Sequence, residues 1–442
     1  VYLSKLKLKL YDFYMIHCRT VVGSVFYYLG FLCYIIGWRS KFQQLVLASI
    51  RYSYSIKSQK LVQAALANGF DFMPFTSTSA REDDACGRAI ILSPPQFCRD
   101  GAIIKGVVVL TFSHTFSYFL RHPNWPQFNE YFVFVLEPSW AGYADPDIIS
   151  FVQQAKNCVI EATEINDRVF ISNVFPTVPC IDIGASNWVD PHRFVALSSN
   201  DDKDYDAIYI ASMSLFKRVL RAIDVVKDIK KADSSYKLCL VCASWGGEDI
   251  ESLEAYVESG GLKNNIDVFP SMSQADLVLL LNRSKCSILM SLKEGSNRVL
   301  FESMFANVPV VCISENIGVN KSYINSATGM LVSDQFFASA LSAMKRDYRR
   351  YTPRAWATSN ISPSKTTEIL KNVLTAAYGA SVNMDLLEKV NAPEVRYRTK
   401  DIDAKTISNQ VFGLHSNRPL SPDFFESIMS ESELEADKNE MV

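Results

Sequence analysis

Short apolar runs alternate with amphipathic stretches through most of the chain, and the pattern is sharpest between 286 and 313. An apolar run at 286–289 stops in a polar loop at 291–297, a helical spacing of apolar positions covers 298–306, and 308–313 reads as the next strand. Strand, loop, helix, strand is the βαβ unit of an open parallel sheet, whose ligands gather at the carboxyl ends of its strands. The same alternation predicts strands at 207–211, 237–243 and 266–269, and helices at 217–229, 252–258, 274–281, 336–348 and 365–378. In the first of these helices Val219, Ile223, Val226 and Ile229 form one apolar stripe. Trp245, Gly246 and Gly247 predict a tight loop after the strand at 237–243.

The earlier half reads less regularly. A helix is predicted at 58–68 with Gly69 as its stop, a strand at 70–75, and a polar loop at 76–87. Strands follow at 88–92, 106–112, 131–136, 159–162 and 180–183, with a helix at 147–155. The strands at 107–112 and 131–136 lie close enough for an irregular connection. At 442 residues and 48% hydrophobic content the chain can fill two cores, so an α/β protein of two lobes is expected. The division read from the pattern is an apolar and basic segment at 1–45, an amino-terminal lobe at 46–200, a carboxy-terminal lobe at 201–378, and an extension at 379–442 with an acidic, mobile end. Turn formers and acids at 198–206 mark the linker.

Residues 21–37 carry no charge, and Arg19, Arg39 and Lys41 flank them. Such a run is borderline for a helix that crosses a bilayer, which needs about twenty apolar residues. Its tyrosines, with Trp38 and the basic flanks, also suit a helix lying in the membrane interface. Three readings of this segment stand: contact with a membrane surface through residues 1–41, a transmembrane helix, and a buried helix of a soluble lobe. Basic residues on both sides do not choose an orientation.

Charge adds little elsewhere. Lys and Arg total 45 against 47 acids, which gives no reason to expect nucleic acid as a partner. The ten cysteines are scattered in a way that fits a reducing, cytoplasmic setting. Cys239 and Cys242 have metal-motif spacing, but on a strand they point to opposite faces and no second pair matches them, so no metal site is expected.

Candidate chemistry clusters at strand ends. Glu294, Gly295, Ser296 and Asn297 fill the loop before the helix at 298–306, and Glu302 lies eight residues after Glu294. Free backbone N–H groups at a helix start suit phosphate, and acids beside them suit sugar or ribose hydroxyls; an ordinary capped helix with two solvent-facing acids would look the same. In the earlier half His114 follows one strand, and Glu137 and Trp140 follow another, as candidates for catalysis and for holding an acceptor. A hydrogen-bonded loop histidine and a turn with a packed tryptophan are the plain alternatives.

The segment from Glu294 to Glu302, with Ser303, Met304 and the Pro-Val-Val that follows, resembles the E-x7-E signature of the retaining GT4 glycosyltransferases. The blocks at 205–226, 238–247 and 266–281 resemble the preceding parts of that family's carboxy-terminal lobe, and 184–194 the end of its amino-terminal lobe. The resemblance implies a GT-B fold, two Rossmann-like lobes with a ligand cleft between them. It implies transfer of a sugar from a UDP-, GDP- or ADP-linked donor to a glycan, lipid-linked or other hydroxyl acceptor, without a metal or other cofactor. Lys217 and Arg218 would then face the diphosphate, Glu294 the donor sugar, and Glu302 the ribose, with Gly295 to Asn297 supplying backbone donors. Family members often place an arginine five residues before the lysine; here that position is Ser212, and Arg218 or Arg298 would have to stand in. A non-catalytic relative kept for binding or assembly is the alternative reading.

Overall fold

The computed structural model describes residues 2–197, 203–244, 249–392, 394–398, 404–413, 420–425 and 427. The expected loop at 245–247, part of the linker and the acidic end of the chain lie outside these residues. The chain forms two compact units, one of Arg19–Trp188 with Pro363–Val442 and one of Val1–Cys18 with Val189–Ser362. They are called here the amino-terminal and carboxy-terminal lobes.

The chain opens with α1 (Tyr2–Phe13), a π-helical turn at Tyr14–Cys18, α2 (Arg19–Ile35) and α3 (Arg39–Ser53). Lys5–Ile35 is one helix long and apolar enough to cross a membrane by length and composition. Most of its length lies on the surface of the fold, so the reading of 21–37 as a buried core helix does not hold.

The amino-terminal lobe is built on a five-stranded sheet: β1 (Ala89–Ser93), β2 (Gly106–Thr111), β3 (Phe132–Glu137), β4 (Cys158–Glu161) and β5 (Cys180–Ile181), side by side in that order. β1 is antiparallel to β2 and every other pair is parallel. All residues of β1 to β4 are buried, as befits strands covered on both faces. Two helices, Ser113–Arg121 and Trp125–Tyr131, connect β2 to β3, where an irregular connection was expected. Their Phe116, Phe119 and Phe128 are all fully buried. The strand expected at 70–75 is instead a single 3-10 turn, Met73–Phe75. Pro74 lacks the N–H a ladder needs, and the Asp71 carboxylate accepts from the backbone of Met73.

Helix Pro363–Tyr378, expected within the carboxy-terminal lobe at 201–378, belongs instead to this lobe's core, as does much of the described extension. The helix is tied to the lobe by the Tyr378 hydroxyl, which donates to the carbonyl of Cys158 at 2.9 Å. The hairpin of Lys389–Ala392 and Glu394–Tyr397 is held by the Tyr397 hydroxyl on the carbonyl of Ile91. Helix Ala404–Phe412 ends in a buried Phe412 whose ring packs on Phe119, Phe128 and Phe132.

The carboxy-terminal lobe carries six parallel strands: β6 (Ala207–Ser212), β7 (Leu238–Ala243), β8 (Ile266–Pro270), β9 (Ser287–Leu289), β10 (Val310–Ile313) and β11 (Gly329–Val332). Their order is β8-β7-β6-β9-β10-β11, the doubly wound arrangement, with the winding reversed between β6 and β9. Along β7, Cys239 and Val241 fall in one apolar core while Leu238, Leu240 and Cys242 fall in another, so the two cysteines do face opposite sides of the sheet. The helix expected from residue 217 starts two residues later, as α4 (Val219–Lys230). α5 (Arg298–Phe305) connects β9 to β10.

Candidate active site

The reversal between β6 and β9 leaves two loops, 213–218 and 290–297, leading from the carboxyl ends of adjacent strands. Backbone bonds join them: Leu292 donates to the carbonyl of Phe216 at 3.2 Å. The loop after β10 braces the second of these. Ile317 donates to Leu292 at 3.0 Å, Glu294 donates to Ile317 at 2.8 Å, and the buried Asn316 amide donates to the carbonyl of Ser291 at 2.7 Å. Gly318 (φ +111°) closes this contact; a Cβ there would sit 2.0 Å from the carbonyl oxygen of Glu294.

Lys217 lies in a 3-10 turn, Leu215–Lys217, ahead of α4. The buried Tyr209 of β6 donates its hydroxyl to the Lys217 carbonyl. The Lys217 ammonium donates to both carboxylate oxygens of Glu294, at 2.6 and 2.8 Å. Asn297 caps α5 by accepting from Leu300 at 3.1 Å, and Gly295 and Ser296 lead into that cap. One turn into α5, Glu302 is 5% exposed, and burial raises its pKa above the ordinary carboxylate value against the pull of Arg298, whose Nε lies 3.3 Å away. The Nε and Nη2 of Arg298 are buried without a hydrogen-bond partner of good geometry. Lys217 and Glu294 thus form one pair at the winding reversal, and the loop 295–297 leads from it into the helix that carries Glu302.

Arg218 has a different occupation. It is 1% exposed and adopts a left-handed backbone (φ 58°), a conformation that costs a non-glycine residue roughly 1–2 kcal/mol. Its guanidinium donates to both carboxylate oxygens of Asp12 on α1 at 2.9 Å, to Asp334 at 3.2 Å and to the carbonyl of Met290 at 3.2 Å. Every guanidinium nitrogen is engaged, so Arg218 is built into the scaffold and does not face a ligand. Ser212, at the position of the family's arginine, exchanges a 2.8 Å hydrogen bond with Ser214.

The remaining candidates belong to the amino-terminal lobe. His114 is in the first turn of the helix after β2, its Nε2 3.2 Å from Asp84. Glu137 is the last residue of β3, 3% exposed, and accepts from the fully buried Lys389 ammonium at 2.8 Å. This pair differs from the Lys217–Glu294 pair in that its lysine has no exposure at all, against 17% for Lys217. Trp140 is 52% exposed. Beside Glu137, at the end of β4, Glu161 is fully buried, and neither of its carboxylate oxygens has a hydrogen-bond donor. Burial first, and the Glu137 carboxylate second, hold its pKa well above the ordinary value. Asp12, Asp334, Asn316, Lys389 and Glu161 were not singled out from sequence, since each acts through a partner at least 24 residues away. No cluster of three or more His, Cys, Asp or Glu that could hold a metal ion occurs among the described residues.

Residues 194–346 match the family model Glycosyl transferases group 1. The crystal structure of TarM is similar with a TM-score of 0.50 and 14% identity, over 64% of this chain and 63% of that one. A variant of S. aureus TarM in complex with fondaparinux, alpha-GlcNAc-glycerol and UDP gives 0.49 at 14% identity over 63% of each chain. Sucrose-phosphate synthase from Thermosynechococcus elongatus gives 0.46 at 14% identity, over 61% of this chain and 74% of that one. The chain thus spans just under two thirds of the length of TarM. The fold is GT-B: two Rossmann-like lobes. No curated protein matches the chain in sequence.

Proposed function

We propose that the chain is a retaining, metal-independent glycosyltransferase of the GT4 type, taking a sugar from a nucleotide-sugar and giving it to a glycan or lipid-linked hydroxyl. The observation that carries this reading is the Lys217–Glu294 pair at the winding reversal, with Glu302 beyond the same helix start. The family-model match over 194–346 supports it. In this reading Glu302 takes the ribose hydroxyls, Glu294 the donor sugar, and the backbone at 295–297 the diphosphate and sugar. Lys217 meets the diphosphate. As the bond from C1 to the phosphate oxygen breaks, its electron pair leaves with the diphosphate, and an ammonium already in place stabilises that charge. The acceptor oxygen forms the new bond to C1, and its proton passes to the departing phosphate. His114, Glu137 and Trp140 remain candidates on the acceptor side. The enzyme would be cytoplasmic, with residues 1–41 meeting a membrane surface.

A non-catalytic binding role is favoured by one observation: Ser212 stands where the family has an arginine, and Arg218 is sequestered. Lys217 and Arg298 are then the cations proposed to act in its place. Thermal shift with UDP, GDP and ADP tests the shared part of both readings, since a ligand of the folded state raises apparent stability. Absence of a shift with all three would overturn both. Slow release of free sugar from the matching nucleotide-sugar, without acceptor, separates the enzyme from the binding protein.

A further inference from the structure

α2 leaves most of its large aliphatic side chains outward, unlike a helix in water. A helix on a soluble protein turns its large apolar side chains inward and its polar ones outward. Here the buried residues of α2 are Gly23, Gly30 and Cys33, set against α3, with Tyr27 and Tyr34 half-buried against the core. A Cβ on Gly23 would stand 2.6 Å from that of Ser53, and one on Gly30 would stand 3.2 Å from the backbone nitrogen of Val46. The Ser49 hydroxyl of α3 donates to the carbonyl of Gly23 at 2.6 Å. The outward face carries Val21, Val25, Tyr28, Leu29, Leu32 and Ile35, each between 46% and 65% exposed. Their spacing of three and four residues makes one continuous stripe along the helix.

Charge accompanies the stripe. From residue 13 to residue 70 there is no Asp or Glu, while Arg19, Arg39, Lys41, Arg51, Lys57 and Lys60 are all basic. Arg39, Lys41 and Trp38 are exposed at the turn between α2 and α3. α3 is seated in the lobe's core through Phe42, Val46, Leu47 and Ile50, and α2 is clasped to α3 along its length. A helix held in this way lies on the lobe and does not project from it.

We propose that the outward face of α2 docks lengthwise on an anionic lipid surface, its apolar stripe entering the acyl boundary and Arg39 and Lys41 meeting the headgroups, without crossing the bilayer. This narrows the reading of residues 1–41 as a membrane-meeting segment to one face of one helix. It does not depend on the enzymatic reading.

Flotation of the full chain with vesicles tests it, using phosphatidylcholine alone and phosphatidylcholine with about a third phosphatidylglycerol. The chain should float with the anionic vesicles, and raising the salt should weaken that binding. Val25→Asn with Leu32→Asn should reduce binding about tenfold or more with little change in melting temperature, since both side chains are exposed. Arg39→Ser with Lys41→Ser should weaken binding to anionic vesicles by roughly thirtyfold, at about one kcal/mol for each of the two charges removed. Failure of the wild-type chain to float overturns the proposal. So does a dimer in sedimentation that the apolar substitutions dissociate while no vesicle binding occurs, because the face then belongs to a second copy. Retention in membranes through a high-pH wash would show a crossing helix and overturn the lengthwise docking.

Discussion

The ammonium of Lys217 sits 2.6 and 2.8 Å from the two carboxylate oxygens of Glu294, so the cation proposed for the diphosphate is neutralised by the acid proposed for the sugar. Donor binding then has to trade one partner for another. Replacing the acid as Glu294→Gln frees the lysine, because a neutral amide competes less well for an ammonium than a carboxylate does. Affinity for the nucleoside diphosphate should rise by about threefold or more while turnover falls. Calorimetric titration beside steady-state kinetics checks both; weaker diphosphate binding would count against the exchange.

Lys217→Ala should lower turnover by about 10²–10³, the range for loss of one preorganised stabilising donor. The donor's KM should change far less, since uniform binding is not what is lost. Lys217→Arg should restore part of the rate, a planar fork being a poor substitute for a compact ammonium. The alanine variant also strips a buried carboxylate of its partner, so its melting curve is measured first. A loss under about threefold would pass the role to Arg298.

Glu302→Gln should weaken nucleotide binding about tenfold, the difference between charged and neutral hydrogen bonds to hydroxyls. Burial raises the Glu302 pKa, so wild-type affinity should also fall as pH drops through that raised value, and the glutamine variant should not follow it. An affinity equal to wild type removes Glu302 from the site.

Asp12→Ala leaves the buried Arg218 guanidinium with Asp334 as its remaining carboxylate. Removing one partner of a buried ion pair costs about 3 kcal/mol. Chemical denaturation should show that loss. Any truncation that takes α1 away should show it too, independently of membrane binding.

Glu161 binds its proton more tightly in the folded lobe than in the unfolded chain. Between the unfolded value, near 4.3, and the raised folded value, the folded state holds the extra proton, so stability falls as pH rises, by about 1.4 kcal/mol per pH unit. Glu161→Gln carries no proton to lose and should gain on wild type by that slope. Denaturation midpoints of the two proteins, followed upward in pH from the unfolded value, should diverge; parallel curves would mean the carboxyl is not protonated in the folded lobe.

Several elements were legible because local pattern and final environment agree. The βαβ unit around 286–313 was read from an apolar run, a polar loop and a helical stripe, and β9, α5 and β10 occupy it. The opposed faces of Cys239 and Cys242 followed from the two-residue period of a strand. The start of α4 was misplaced because Arg218 takes a left-handed backbone, and what sustains it is a pair of carboxylates, Asp12 and Asp334, 206 residues before it and 116 after it. The 70–75 strand failed for a local reason, Pro74, which the apolar run around it obscured.

Periodicity and spacing, then, account for the sheet-building runs, the acidic loop and the helix that follows it, since these depend on neighbours within a few residues. They could not show that Lys217 would be bound by Glu294, that Arg218 would be structural, or that Lys389 would pair with Glu137. They equally could not show which face of α2 would be left outward. Those outcomes rest on burial and on ion pairs between residues far apart in the chain, where the cost of an unpaired buried charge selects partners that no local pattern encodes.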